Sequence, residues 1–131
     1  MSSDDDTVSG IPLERLRFIK HKGHAILLLD FSHCAQKELL LLLDQVKASI
    51  ERHPPGSVLT LADFTGATVD KKVATRMKEV LVLDRPYVKK SGWVGTESLP
   101  HVFYENFKSF SQRDFPTFKT REEAMDWLVE E

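Results

Sequence analysis

One cysteine, no long apolar run and almost no net charge set the outer limits for this chain of 131 residues. With Cys34 alone, neither an internal disulfide nor a multi-thiolate zinc or iron–sulfur centre can form. A reducing compartment is the expected setting. No apolar stretch approaches the roughly 20 residues that a membrane-crossing helix needs. The opening Met1-Ser2-Ser3-Asp4-Asp5-Asp6 is acidic where a secretory leader is basic and then apolar. The expectation is a cytoplasmic protein without membrane insertion. Lys and Arg number 18 against 20 Asp and Glu, a formal net charge of -2. No overall field would gather polyanions, so nucleic acid is not an expected partner. The basic residues Lys71, Lys72, Arg76 and Lys78 read as a solvated helix face.

Chemistry-bearing motifs are also scarce. There is no glycine-rich phosphate loop and no His-Glu-x-x-His, and the histidines at 21, 24, 33, 53 and 101 show no metal-ligand spacing. No metal and no cofactor is expected. No internal repeat is evident. His33 beside Cys34 suggests a thiolate with a base, but sequence neighbours seldom point at each other. Cys34 is expected as a small buried hydrophobe and His33 as a solvent-facing loop residue.

What is present is material for a core: 41% apolar and 29% charged residues, with 9% aromatic, a composition that folds rather than stays extended. Residues 1–10 are polar and acidic and read as a flexible tail, leaving 11–131 as a single domain. Leu16 to Lys20 and His24 to Phe31 read as two strands, joined by a turn in which Gly23 can take a positive φ. Ala35, Leu39, Leu42, Leu43, Val46 and Ile50 then draw a helical stripe, with Ser32 as the nearest cap and Pro54-Pro55-Gly56 as the stop. Leu40 and Leu41 widen that stripe.

Val58 to Ala62 is a buried-strand candidate, followed by a turn at residues 63–66 and a helix carrying Val73, Met77, Val80 and Leu81. Tyr87 to Val94 reads as the next strand, with Gly92 as a bend. Ser98 is the expected cap of a third helix bearing Leu99, Phe103, Phe107 and Phe110. Phe115 to Phe118 makes a short last strand. Thr120 and Glu123 form a capping box that opens a fourth helix with Ala124, Trp127 and Leu128. A hairpin followed by alternating helix and strand predicts an α/β fold with a mixed, largely parallel sheet and about four helices.

The segments AILLLDFSHC, VLTLADFTGATVD, RPYVKKSGWVG and EEAMDWL together resemble the SpoIIAA-like family of STAS/SEC14 domains, over nearly the whole chain after the tail. In the anti-sigma-factor antagonists of that family the corresponding turn reads Asp-Ser-Ser-Gly, and a partner kinase phosphorylates its second serine. The resemblance therefore implies a phosphoacceptor role for Thr65 between Asp63 and Gly66, with Phe64 departing from the polar residue expected there. It implies a fold and a hot spot rather than a reaction.

In parallel sheets, ligands collect beyond the carboxyl ends of the strands. Asp63, Phe64, Thr65, Gly66, Asp70, Glu97 and His101 are accordingly the candidate partner or ligand contacts. No catalytic residue is assigned. The expected function is a non-enzymatic protein-binding or regulatory domain. The alternatives are a domain holding a small apolar ligand beside the aromatic third helix, or an enzyme of unknown class using a pocket that joins Asp63, Glu97 and His101. Surplus apolar surface near Leu40, Leu41 and the third helix also predicts weak homodimerisation.

Overall fold

A computed structural model describes residues 15–130; the expected tail and the start of the domain at Ile11 lie outside the described residues. The fold is mixed α/β, and the described residues form a five-stranded sheet in the order β1-β2-β3-β4-β5 and four α-helices. β1 (Leu16–His21) and β2 (His24–Asp30) pair antiparallel through a two-residue turn. Lys22 and Gly23 both have positive φ, 52° and 85°, as the tight hairpin turn that matches strand twist requires. β2, β3 (Val58–Asp63), β4 (Val88–Val94) and β5 (Thr117–Phe118) run parallel.

α1 (Gln36–Ile50), α2 (Lys71–Asp84) and α3 (His101–Ser111) cover one face of the sheet, and α4 (Arg121–Leu128) covers the other. Crossovers of one hand that always step the same way across a sheet leave their helices on one side. α4 does not connect two of the described strands, so this rule does not place it, and it lies on the opposite face. Its arrival buries β3 on both sides, and all six residues of that strand are buried, the polar Thr60 and Asp63 included.

The leucine stripe faces the sheet as expected: Leu39, Leu42, Leu43, Val46 and Ile50 are buried, Leu40 is half-buried and Leu41 is exposed. Several local details differ from expectation. Ala35, not Ser32, precedes α1, and the Glu38 carboxylate accepts from the Ala35 amide at 3.1 Å. Ser98 does not cap α3, which starts after Pro100. Gly92 lies in register opposite Leu61 rather than at a bend, on the side where Phe118 and the α4 residues Ala124 and Leu128 pack. The Thr120 hydroxyl accepts from the Glu123 amide at 3.1 Å, whereas Glu123 reaches back to Lys119, one residue beyond the expected partner.

A polar group is built into the first core. Arg113 donates to the Leu81 carbonyl and the Ser91 hydroxyl, both at 2.9 Å, and Ser91 pairs with Thr60 at 2.7 Å. Asp84 is buried beside them, and its Oδ1 has no hydrogen-bond partner among the described residues. Burial pushes the Asp84 carboxyl up to about 7 despite the nearby Arg113 charge. The adjoining cavity of about 30 Å³ also touches Phe31, Met77 and Trp93. That is room for a water molecule or two, and far below the few hundred Å³ of an organic-ligand site.

Candidate functional site

The carboxyl ends of β2 and β3 carry the same turn twice. Asp30 and Asp63 are the last residues of their strands and lie in register. Asp30 Oδ1 accepts from the Ser32 amide at 3.1 Å and hydroxyl at 2.6 Å; Asp63 Oδ1 accepts from the Thr65 amide at 2.9 Å and hydroxyl at 2.7 Å. Such a bond from an aspartate to the amide two residues on is a local turn device. The next residue is left-handed in both, His33 at φ 56° and Gly66 at φ 68°. The short echo Asp-Phe-Ser and Asp-Phe-Thr in the sequence marks these two turns.

The intervening phenylalanines turn inward. Phe31 and Phe64 are buried with ring centroids 5.2 Å apart, and Phe64 meets Trp93 edge-on at 4.8 Å. Phe64 is thus a core residue and not a surface contact: an apolar ring between two polar turn residues gains more by packing into the core than by facing water. The backbone ladder continues past the strands, from the Phe31 amide to the Asp63 carbonyl at 2.9 Å and from the His33 amide to the Thr65 carbonyl at 2.7 Å.

Arg121, the first residue of α4, joins the two turns. Its Nε donates to Asp63 Oδ2 at 2.8 Å, and a terminal guanidinium nitrogen lies 3.3 Å from Asp30 Oδ1. Arg15 donates to the carbonyls of Asp30 and Ser32, each at 2.9 Å. Burial raises the Asp63 carboxyl, but the Thr65 hydroxyl and amide and the Arg121 guanidinium outweigh it and hold Asp63 below the usual carboxylate range. Asp63 is therefore ionised and already engaged, not a base poised near neutrality.

Thr65 and Gly66 are exposed, and the Gly66 amide donates to the Ser98 hydroxyl at 2.8 Å, which ties the turn to the loop after β4. Gly95 lies so close to Thr65 that a β-carbon there would overlap the Thr65 amide and hydroxyl. Glu97 is exposed in the short turn Thr96–Ser98 beside them. The remaining candidates do other work. Asp70 caps α2, accepting from the Val73 amide at 2.9 Å. His101 is exposed on α3 and lies 3.8 Å from Glu105. Asp63, Glu97 and His101 are not drawn into one titrating cluster, because Asp63 turns to Arg121 and His101 to its own helix. Cys34 is buried and its thiol is raised to about 11, chiefly by burial, so it carries little thiolate at neutral pH.

Sequence reasoning missed Asp30 and Arg121, and read Ser98 as a helix cap where it instead accepts from the Gly66 amide. Asp30 was signalled by the repeated tripeptide; Arg121 lies 58 residues from Asp63 and had no local signal. No family model, curated protein or solved structure matches the chain. No described helix is long and apolar enough to cross a membrane.

Proposed function

We propose that the chain is a SpoIIAA-like regulatory domain that binds a protein partner, without catalysis, through the paired turns at the ends of β2 and β3. The observation that supports this reading is the exposed residue Thr65, its hydroxyl oriented by a bond to Asp63 on a turn tied to Ser98 through Gly66. Ser32, His33, Gly66 and Glu97 complete a small polar edge around it. The engaged state of Asp63 argues against acid–base chemistry there, and the small core cavity argues against an organic ligand held in the core.

Thr65 is also the position where a phosphoryl group would act. It would add about -1.5 to -2 charges at neutral pH and remove the hydroxyl proton that Asp63 accepts. Helix amides offer no ready compensation, since α2 begins only at Lys71 and its Val73 amide is taken by Asp70. The nearest built cation is Arg121, so a phosphate would compete with Asp63 for the guanidinium and loosen the start of α4.

The test is photo-crosslinking in lysate from position 65, with the exposed Lys37 on α1 as the control site. A discrete partner captured from 65, absent from 37, and lost when Glu97→Arg is added, is the expected result. Thr65→Glu, folded by circular dichroism, should also fail to retain that partner on a column. Identical captures from both positions, or unchanged retention by Thr65→Glu, would sink the reading.

A further inference from the structure

We propose that His21, Glu122 and Asp126 form a binding site for a divalent transition-metal ion, with Zn²⁺ the best match to the donors. The three come from opposite ends of the sequence: His21 ends β1 at the hairpin turn, while Glu122 and Asp126 stand one turn apart on α4. Their ligand atoms all lie within 4.8 Å of one another. The four-residue spacing puts both carboxylates on one face of the helix, and the hairpin delivers an imidazole to that face.

His21 is held in place. Its side chain is only 13% exposed, and its Nε2 lies 2.7 Å from Asp126 Oδ1. Around Zn²⁺, with bonds of about 2.0–2.2 Å, neighbouring donors sit about 3.3–3.5 Å apart. Metal binding requires rotations of the Glu122 and Asp126 side chains that bring the donors to that spacing. The hairpin offers a second imidazole on the same side. His24 is the cross-strand partner of His21, and by strand alternation it shares a face with Ile26 and Leu28, which pack in the α4-side core. One or two imidazoles with two carboxylates favour Zn²⁺, Co²⁺ or Ni²⁺; Mg²⁺ and Ca²⁺ prefer all-oxygen shells. Sequence spacing hid the site because its donors belong to the hairpin and to α4, 105 residues apart.

One neighbour opposes the metal. Lys22 Nζ lies 3.0 Å from the same Asp126 oxygen and occupies the charge position a cation would take. Lys22 is exposed and on a flexible stem, so an ion with a nitrogen ligand displaces it. Removing the lysine should strengthen metal binding, an effect that a purely structural role for His21 and Asp126 would not produce.

The experiment titrates the full chain with ZnCl₂ by calorimetry and with CoCl₂ by visible absorption. One equivalent is expected, with at least a ~10-fold loss of affinity in His21→Ala and in Glu122→Gln, and a severalfold gain in Lys22→Ala. Zn²⁺ should raise the melting temperature of the wild type and not that of His21→Ala. If His21→Ala does not fold, the exposed Glu122→Gln decides by itself. No binding to the wild type would overturn the proposal. So would binding unchanged in both ligand variants, which would assign the metal to the acidic N-terminal residues or to other histidines.

Discussion

Arg121 Nε and Asp63 Oδ2 meet at 2.8 Å, and this contact fastens the start of α4 to the end of the central strand. The Asp63 side chain is almost fully buried and that of Arg121 is about one-third exposed. Replacing Arg121 by alanine leaves a nearly buried carboxylate with only Thr65 to answer it. The expected loss is about 1.5–3 kcal/mol, the range for a hydrogen bond to a charged group, and urea denaturation at pH 7 measures it.

The same pair gives an acid limb to stability. Asp63 titrates below its ordinary range when folded, so the unfolded chain takes up its proton first as pH falls. The stabilisation is present above about pH 4 and is lost as pH drops through the folded value. Asp63→Asn should lower stability at pH 7 and flatten the decline as pH falls below about 5. Equal slopes for wild type and variant in that window would contradict it.

Asp84 acts with the opposite sign. Its folded carboxyl titrates at about 7, well above the unfolded value. Between about pH 4 and 7 the folded protein holds a proton that the unfolded chain has released, so this group makes stability fall as pH rises. Asp84→Asn should remove that decline and make the protein more stable at pH 8, by roughly 2–4 kcal/mol. Denaturation at pH 5 and pH 8 checks it, and a decline that persists in the variant would refute the assignment.

Gly95 supports Thr65 by being small. At φ 71° it occupies the left-handed region, and an added β-carbon would overlap the Thr65 backbone and hydroxyl. Gly95→Ala should cost more than ~1 kcal/mol and shift the amide resonances of Thr65 and Gly66. Unchanged resonances at both positions would mean that the turn does not depend on this contact.

Apolar side chains remain outside the core at Leu41, Val82, Val102 and Phe110. Lys78 lies over the Phe110 ring, and Val82 follows Lys78 by one turn on α2, which places an apolar patch at the α2–α3 side. Weak self-association through this side is expected, and Phe110→Lys should abolish it in sedimentation velocity at high concentration. A wild type that stays monomeric there would remove the prediction.

Most of the elements were legible because their signals are local. The apolar period of Leu39 to Ile50, the proline stop after it, the positive-φ turn at Gly23 and the Thr120 cap each act within a few residues. Asp63, Thr65 and Gly66 were likewise found from one turn, and that turn is exposed at Thr65 as its position after a strand implied. The fate of Phe64 was misjudged, because which way a turn residue points depends on the neighbouring strand's Phe31 and on Trp93.

The sequence by itself determined the order of strands and helices, the stripe that α1 turns inward and the turn chemistry at Asp63, since each follows from periodicity, capping or backbone preference over short spans. Only the tertiary structure decided that Arg121 would bridge Asp30 and Asp63, that His21 would meet Glu122 and Asp126, and that Asp84 would be buried beside Arg113. The physical reason is that these are meetings of charged and polar groups far apart in the chain. Their geometry is fixed when α4 closes over one face of the sheet and α2 over the other, and no local preference encodes which residues then come into contact.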